Sequence, residues 1–372
     1  VGQQSVSGYT PFHFDITEHV NYGGADNVVA VRADFTHNDD VPPDNGKADY
    51  LLCGGIYRDV YLVVTDKLHV TFPFEDKDQG IFITTPKASK DKATVQIQTT
   101  VRNEYAEPKA TTLTSFILND EEKVVATATS TGTIPAGKDH VFTHSKTIAD
   151  PRLWSFDDPY LYTVRTVVSA GKDIADVYED EQFGIRWFEK SNEYGLKMNG
   201  EVVELVGVNM HQHVPYVGFA APDSIHFKDI LQLKEAGMNF VRLCHYPHDV
   251  ATVEACDKLG LLCLPEPPTW IDDPGHDEWR GNLSMAQRRM IRQQRNNPSA
   301  FMWAAGINHL GYREYLWEAA NDEDPTRWTH NDTTTWKLKE AGYESVMGKC
   351  DVYSTMFYGG PNIPNYDQPQ II

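Results

Sequence analysis

Two short stretches in the second half of the chain most constrain its fold. Gly207 to His213 reads GVNMHQH and Val241 to Pro247 reads VRLCHYP, and each is an apolar run that ends in polar, ring-bearing residues. Buried parallel strands deliver side chains in this way, and a parallel pair requires a crossover helix. The segment Ser224 to Ala236 supplies an amphipathic helix between them, with apolar residues at Ile225, Ile230, Leu231 and Leu233. The pattern predicts a βαβ unit with chemistry at its carboxyl edge.

The alternation of strand and helix continues to the end of the chain. The strand candidates are Val202 to Val208, Phe240 to Cys244, Leu261 to Leu264, Ala300 to Ala305, Trp328 to His330, Asp351 to Tyr353 and Gln370 to Ile372. The helical candidates between them include Val250 to Leu259, Met285 to Arg295 and Tyr312 to Asn321. Such units form an open doubly wound sheet or a closed (β/α)8 barrel. Polar residues at the ends of several strands favour the barrel, with seven of its eight strands present.

The first half of the chain has the period of β-structure. Residues from Tyr9 to about Thr65 alternate apolar and polar side chains between Gly- and Pro-rich turns, which predicts an antiparallel sandwich. Regularly spaced strands from Ile81 to Val168 predict a second, immunoglobulin-like sandwich. We therefore predict three domains: part of a jelly roll over residues 1–66, an immunoglobulin-like β-sandwich over 67–188, and a partial TIM barrel over 189–372.

Composition excludes several classes of partner. The formal net charge of −20, without a dense basic patch, repels phosphate backbones and anionic lipid, so we expect neither nucleic acid nor a membrane as partner. The five cysteines lie mostly in apolar runs without metal-site spacing and are interpreted as buried thiols. Both ends of the chain fall inside predicted strands, so we expect a fragment that lacks both ends. The compartment stays open between bacterial cytoplasm, periplasm and secretion.

Five motifs, in order, carry a resemblance to a known family. They are Gly54 to Val60 (GGIYRDV), Asp150 to Ser155 with Pro159 to Tyr162, Phe183 to Arg186 (FGIR), Gly207 to Asn209 (GVN) and His245 to Pro247 (HYP). Together they resemble glycoside hydrolase family 2, which contains β-galactosidases, β-glucuronidases and β-mannosidases. The resemblance implies a jelly-roll sugar-binding domain, an immunoglobulin-like domain and a catalytic barrel, which is the order predicted above.

The resemblance implies a retaining glycosidase, in which one carboxylate attacks the anomeric carbon and a second protonates the leaving oxygen. The family acid/base is a Glu at the end of barrel strand four, after Gly and Asn, whereas this chain reads Gly306, Ile307, Asn308, His309. Without a gap, Asn308 replaces the acid. With one inserted residue, Asn308 keeps the role of the family Asn and His309 takes the place of the acid, which an imidazole can fill. An acid from another loop and a weakly active or inactive site stay open.

Other site residues follow from the resemblance one by one. The family nucleophile is a Glu at the end of strand seven, after a lead-in like Pro369 to Ile372, so we expect it just beyond residue 372. Arg242 matches the Arg that holds the nucleophile, and His245 matches a His that contacts substrate hydroxyls. Glu266 aligns with a position that binds a divalent cation in some β-galactosidases; otherwise no cofactor is expected. The pocket-lining residues of the family are matched by Asn209, His211 and His213.

Aromatic side chains near the ends of strands are candidates for stacking on a pyranose, which presents C–H groups on one face. The candidates are Trp270, Trp303, Tyr353, Phe357 and Tyr358, of which Trp303 and Tyr353 are preferred. The resulting hypothesis is an exo-β-glycosidase, most similar to β-galactosidases, that removes a terminal sugar from an oligosaccharide. The alternatives are β-glucuronidase-type specificity and a catalytically impaired, carbohydrate-binding homologue. Oligomers are common in the family, and a homo-oligomer stays open.

Overall fold

A computed structural model describes residues 1–43, 48, 50–74, 79–191, 193–269, 273–308, 310–334, 349–356 and 370–371. Residues 1–66 contain one 3-10 turn, Thr17–His19, and no strand among those described. Val28, Val29 and Val64 are exposed there. An alternating segment becomes a strand only where a neighbour supplies ladder hydrogen bonds, and the described part of this segment has none. The strands predicted between Phe12 and Val64 are therefore not formed by the described residues of this range.

The next eight strands form a sandwich of two antiparallel four-stranded sheets. The strands are β1 (Leu68–Val70), β2 (Ile81–Ala88), β3 (Lys92–Asn103), β4 (Lys109–Leu118), β5 (Val124–Ile134), β6 (Lys138–Ala149), β7 (Tyr162–Ala170) and β8 (Asp173–Phe183). One sheet contains β1, β2, β3 and β6, and the other has the order β5-β4-β7-β8. Alternate residues such as Val95, Ile97, Leu113 and Val164 point inward and form the common core, as period-two burial requires.

Three short antiparallel strands, β9 (Phe188–Ser191), β10 (Gly195–Met198) and β11 (Glu201–Val203), lead into the barrel. The remaining strands are β12 (Gly207–Met210), β13 (Phe240–Leu243), β14 (Leu262–Pro265), β15 (Met302–Ile307), β16 (Gly311–Tyr312), β17 (Trp328–Thr334), β18 (Val352–Met356) and β19 (Gln370–Ile371). All except β16 are parallel, in the orders β12-β13-β14 and β15-β17-β18-β19, and a parallel bridge from Cys263 to Ala300 joins the two sets. Seven parallel strands thus follow one another, as the sequence predicted.

One predicted strand is two. The stretch Val202 to Val208 divides into β11, which pairs with β10, and β12, which opens the barrel. Gly207 lies at this junction because β12 approaches β13 closely: a Cβ on Gly207 would lie 2.0 Å from the carbonyl oxygen of Phe240. Only a residue without a side chain allows that approach, so the apolar run changes partner here.

In the part of the chain that the structure describes, four helices cover the strands: α1 (Asp223–Glu235), α2 (Val250–Leu259), α3 (Asp277–Gln294) and α4 (Glu314–Glu323). The start of α2 is set by Asp249, whose side chain accepts a hydrogen bond from Ala251 N at 3.1 Å, and its end by Gly260 at φ +72°. These caps satisfy backbone groups that a helix leaves unpaired. Within the described residues, none of the helices has the length and apolarity needed to cross a membrane.

Buried polar contacts fasten the sandwich to the barrel. The Trp154 indole is fully buried and donates from Nε1 to the Asp257 carbonyl at 2.9 Å. Asn296, after α3, accepts from Ile83 N at 2.8 Å and donates to Ile81 O at 2.9 Å, so its amide continues the edge of β2. These hydrogen bonds fix the orientation of the barrel relative to the sandwich.

Candidate active site

Alternation along neighbouring strands directs polar side chains to one end of the barrel. Asn209 on β12 stands opposite Arg242 on β13, which stands opposite Leu264 on β14. Side chains two residues apart on an extended chain share a face, so Glu266 points to the same side as Arg242. Asn308 follows β15 with φ +39°, in the left-handed region that Asn tolerates better than most residues. Four successive strands thus contribute to one cluster.

Arg242 is the centre of this cluster. Its Nε donates to Glu266 Oε1 at 2.6 Å and its Nη2 donates to Asn308 Oδ1 at 2.6 Å. Nη2 also lies 2.8 Å from Asp332 Oδ2 on β17, and Nη1 donates to Asn209 Oδ1 at 3.4 Å. Arg242, Glu266 and Asp332 are buried, and charges interact strongly where water is excluded. The guanidinium therefore holds side chains that lie on, or directly after, four other parallel strands: β12, β14, β15 and β17.

His245 is the second fixed group. Its Nδ1 lies 2.8 Å from Glu266 Oε2, and its Nε2 lies 3.4 Å from Asn308 Nδ2. A ring that donates its Nδ1 proton to a carboxylate has a set orientation and presents Nε2 to the cluster. Both oxygens of Glu266 are therefore engaged, one by Arg242 and one by His245.

The two carboxylates of the cluster differ in acidity. Burial raises the pKa of Glu266, but the charges of Arg242 and His245 outweigh this effect, so its pKa is lowered. Burial also raises the pKa of Asp332, and here the effect prevails over the attraction of Arg242: the pKa is about 6. His330, two residues earlier on β17, has its pKa lowered to about 3, first by burial and then by Arg242. Glu266 is thus ionised and His330 neutral near pH 7.

An aromatic wall, formed by Tyr9, Tyr50, Phe219 and Tyr246, borders the cluster. The Tyr50 ring centroid lies 5.1 Å from that of His211, 5.3 Å from that of Tyr246 and 6.2 Å from that of His245. Tyr9 stacks on Tyr246 at 4.8 Å with an interplanar angle of 14°. Residues of the first 66 therefore line the same mouth as the barrel residues.

Arg58, in the GGIYRDV motif, holds this N-terminal segment against the barrel. Its guanidinium donates to Tyr9 O at 2.5 Å, to Pro247 O at 2.6 Å and to Gln212 Oε1 at 3.2 Å. Pro247 and Gln212 belong to the loops that follow β13 and β12. One side chain thus connects both loops of the predicted βαβ unit to the segment that carries Tyr50.

Most of the residues predicted for the site are brought together. Asn209, Arg242, His245, Glu266 and Asn308 form the hydrogen-bonded cluster described above. His211 is adjacent, since its ring centroid lies 5.5 Å from that of His245 and its Nδ1 lies 3.1 Å from the Tyr246 hydroxyl. His213 lies farther out: it is exposed and its ring meets the edge of Phe219 at 5.8 Å.

Trp303 and Tyr353 are corrections to the predicted substrate-binding set. Trp303 is fully buried in the layer between strands and helices, where its Nε1 donates to Asp324 Oδ2 at 3.1 Å. Tyr353 pairs with Asn331 in the ladder, whereas the next residue, Ser354, contacts His330 on the side of the cluster. Successive strand residues face opposite sides, so Tyr353 points away from the cluster. Both aromatic side chains are buried in the core, which apolar strand residues also fill.

Several predicted residues lie outside the described part of the chain. They are His309, the first hypothesis for the acid, and the aromatic candidates Trp270, Phe357 and Tyr358. The sequence prediction in turn omitted Asp332 and His330. The structure places Asp332 beside Arg242, and His330 close enough for the Arg242 charge to lower its pKa. The available signal was the polar run THND, residues 329–332, which lies within β17 rather than after it.

The cluster does not fit a divalent cation bound through Glu266. A carboxylate that ligates such a cation directs an oxygen at it, whereas both oxygens of Glu266 face nitrogen donors. Ligand atoms of His211, Cys244 and His245 do lie within 4.8 Å of one another, a set of the kind that binds Zn²⁺ as thiolate and imidazoles. Burial, however, raises the pKa of the Cys244 thiol to about 12, which opposes formation of the thiolate.

Comparison with known proteins is consistent with this geometry. The family model for glycosyl hydrolases family 2 matches residues 79–186, and the model for the family 2 TIM barrel domain matches residues 191–366. The first covers the sandwich from β2 to β8, and the second covers the barrel from β12 to β18 with the whole Arg242 cluster. Together the matches account for most of the chain.

Similar proteins carry two kinds of name. A "Beta-galactosidase" of Thermoanaerobacter pseudethanolicus is 36% identical over 327 residues, which are 86% of this chain and 42% of the relative. A "Beta-glucuronidase" of Formosa agariphila is 30% identical, over 92% of this chain and 36% of the relative. The solved structure of Bacteroides uniformis beta-glucuronidase 2, covalently bound to cyclophellitol-6-carboxylate aziridine, has a TM-score of 0.76 at 28% identity and covers 86% of this chain and 40% of that one. The chain spans about two fifths of the length of these relatives, and it belongs to glycosyl hydrolases family 2.

Proposed function

We propose that the full-length protein is a retaining exo-β-glycosidase, β-galactosidase-like, that hydrolyses a terminal non-reducing sugar from an oligosaccharide. The observation that carries the proposal is the buried Arg242 guanidinium, held among Asn209, Glu266, Asn308 and Asp332 at the carboxyl ends of parallel strands. Enzymes with this barrel place their active sites at that end. The names of the relatives, β-galactosidases and β-glucuronidases, support the reaction class.

Arg242 orients the nucleophile in this proposal. Within the described residues, its Nη1 makes only the long hydrogen bond of 3.4 Å to Asn209, so it can donate to a further carboxylate. The family resemblance places the nucleophilic Glu directly after strand seven, which is β19 here. A guanidinium in that position keeps a carboxylate ionised, as attack on the anomeric carbon requires.

The neighbouring side chains bind the sugar. Asn209, His211 and His245 present amide and imidazole groups that exchange hydrogen bonds with hydroxyls, while Tyr50 offers a ring to the C–H face of a pyranose. Tyr50 is suited to this role because its ring lies against both His211 and His245. In Asn308 the amide connects Arg242 and His245, so it positions these two groups and cannot itself supply a proton.

The reaction needs no metal in this proposal, because Glu266 is committed to Arg242 and His245. Dialysis of the full-length protein against EDTA is therefore expected to leave kcat/KM unchanged, and a complete loss of activity that Mg²⁺ restores would contradict this.

The substrate is proposed to be a β-galactoside, since a β-galactosidase has the higher identity of the two relatives compared above. The family's frequent oligomers make a homo-oligomer our proposal for the assembly, which light scattering measures directly.

The test is turnover of nitrophenyl β-glycosides by the full-length protein. We expect hydrolysis of the galactoside in preference to the glucuronide, and NMR of the first product should show the β-anomer, as retention requires. Replacing His245 with Ala should lower kcat/KM by about 10²-fold, the lower range for a positioned catalytic group, whereas His140→Ala, an exposed site on β6, should change nothing. Preference for the glucuronide would change the proposed specificity to that of a β-glucuronidase. Absence of turnover with every glycoside would favour the alternative of a catalytically impaired, carbohydrate-binding homologue.

A further inference from the structure

Two carboxylates share the charge of one buried arginine. Glu266 Oε1 accepts from Arg242 Nε at 2.6 Å, and Asp332 Oδ2 lies 2.8 Å from Arg242 Nη2. Glu266 is also held by His245 Nδ1 at 2.8 Å through its second oxygen. One guanidinium charge cannot compensate two buried carboxylates fully, and Glu266 has the larger share of positive neighbours. Asp332 is therefore the carboxylate of this pair that retains a proton more readily.

Asp332 also lies beside the position where the family pattern is broken. Arg242 Nη2 contacts both Asp332 Oδ2, at 2.8 Å, and Asn308 Oδ1, at 2.6 Å, so the carboxyl group and the amide share one nitrogen. In the ungapped register Asn308 stands where the family has its acid, and an amide has no titratable proton. The next parallel strand, β17, thus brings a carboxyl group to the neighbourhood from which the family acid is missing.

The planar guanidinium of Arg242 would give Asp332 and the proposed nucleophile a suitable spacing. In the function proposed above the nucleophile would bind at Nη1, and Asp332 Oδ2 lies 2.8 Å from the adjacent Nη2 of the same planar group. Two carboxylates on neighbouring nitrogens of one guanidinium lie on the order of 5 Å apart, which is the separation that retaining glycosidases use. We propose that Asp332 is the general acid/base of this enzyme, a role that rests on the glycosidase function proposed above.

The chemistry balances with groups already named. In the first step the Asp332 carboxyl gives its proton to the glycosidic oxygen as the C–O bond breaks, and the nucleophilic Glu forms an ester with the anomeric carbon. In the second step the Asp332 carboxylate takes a proton from water while the water oxygen attacks that carbon. The ester bond breaks, its electron pair returns to the Glu, and both residues regain their initial state.

The surroundings of Asp332 suit this cycle. The groups that face it are Arg242 from β13, Glu266 after β14, His245 after β13 and the Ser354 hydroxyl from β18. Burial and Glu266 raise its pKa, to about 6, against the lowering effects of the other three. Near neutral pH such a group can be protonated for the first step and ionised for the second. His330 on the same strand stays neutral, because burial lowers its pKa to about 3.

The experiment compares two leaving groups in the full-length Asp332→Ala protein. With phenyl β-galactoside, whose leaving group needs protonation, kcat/KM should fall by about 10²–10⁴-fold. With dinitrophenyl β-galactoside, whose leaving group needs none, kcat/KM should fall less than about tenfold. Added azide should restore kcat with the dinitrophenyl substrate and yield the β-galactosyl azide, since an anion enters where a general base for water has been removed. In the unmodified enzyme the alkaline limb of kcat/KM should lie near pH 6.

Two further variants separate catalysis from structure. Asp257→Asn is a matched control, because Asp257 is also buried with a pKa raised to about 6 but binds Asn297 and Ser299 outside the cluster. It should lower thermal stability without any dependence on the leaving group. Should Asp332→Ala not fold, Asp332→Asn keeps the shape of the side chain and serves for the same comparison.

The possible outcomes are distinguishable. Equal loss with both substrates, without azide product, would show that Asp332 only positions Arg242, and would overturn the proposal. The proposal would also fail if His309→Ala gave the leaving-group dependence and Asp332→Ala did not. Failure of the unmodified protein to turn over any aryl glycoside would instead remove the glycosidase function on which the proposal rests.

Discussion

Arg242 Nε and Glu266 Oε1 are 2.6 Å apart; Arg242 lies on β13, and Glu266 directly follows the adjacent parallel strand β14. The ladder fixes their backbones, and alternation points both side chains to the barrel interior. Because Glu266 also binds His245, the ion pair sets the position of the imidazole and of the guanidinium together. A rigid ion pair of this kind preorganises the site before a substrate arrives.

Substituting Arg242 with Lys should therefore cost activity and stability at once. A Lys ammonium keeps the charge but lacks the planar set of N–H donors with which the guanidinium contacts Glu266, Asp332 and Asn308. We expect kcat to fall by about 10²–10³-fold, as on removal of a preorganised donor, and the free energy of unfolding to fall by about 3–5 kcal/mol, the range for a broken buried ion pair. Steady-state kinetics and urea unfolding measure the two effects, and an unchanged kcat would show that Arg242 has only a structural role.

The barrel was predictable from the sequence because each of its strands has a recognisable local pattern of apolar and polar residues. The predicted helix Val250 to Leu259 is α2 in the structure, and each of the seven predicted barrel strands overlaps an observed parallel strand. Apolar runs with polar endings, separated by helical periods, require only local information. The division at Gly207 was missed because it depends on a close approach to Phe240, which no local pattern reveals.

The site was partly predictable for the same reason. Asn209, Arg242 and His245 follow strands whose ends the sequence marks, whereas the placement of Asp332 depends on which strand neighbours β15. Trp303 was misassigned because an aromatic at a strand end has the same pattern whether it faces the barrel interior or the helices. The ladder decides which: Ala304 pairs with His330, whose side chain faces the cluster, so its neighbour Trp303 faces the helices.

Arg58 gives a test of the N-terminal segment. Its guanidinium binds Tyr9, Gln212 and Pro247, so Arg58→Ala should release the segment and the two loops that carry His211 and His245. We expect KM to rise by about tenfold with a smaller change in kcat, because mainly substrate positioning is lost. Limited proteolysis should cut residues 1–66 faster than in the unmodified protein. Arg32→Ala, which removes an exposed pair with Asp34, is the matched control and should affect neither measurement.

Trp303→Phe tests the correction to the predicted stacking platform. The substitution removes the indole N–H bound to Asp324 and leaves a smaller ring in the buried helix layer. We expect the free energy of unfolding to fall by about 1–3 kcal/mol, with KM unchanged for every active substrate. Of the two variants Tyr50→Phe and Tyr50→Ala, only the second should raise KM, because the ring is lost there. A tenfold rise in KM for Trp303→Phe would return this residue to the pocket.

His330 predicts how stability depends on pH. Burial lowers its pKa to about 3, against about 6.5 in an unfolded chain, so between these values the unfolded state binds a proton that the folded state does not. The free energy that His330 contributes is complete above pH 6.5 and is lost as the pH falls. Asp332 acts in the opposite direction: its raised pKa of about 6 means that the folded state holds the extra proton, so its contribution grows as the pH falls toward about 4.

The two contributions separate by substitution. From pH 7 to pH 5 the stability of the unmodified protein relative to His330→Asn should fall by about 2 kcal/mol, the amount for a histidine that must stay neutral over roughly 1.5 pH units. Relative to Asp332→Asn, the stability of the unmodified protein should rise over the same interval. Urea unfolding followed by tryptophan fluorescence at both pH values measures these differences. Because the signs are opposite, a common slope for the two variants would show that neither group titrates as the burial of the cluster requires.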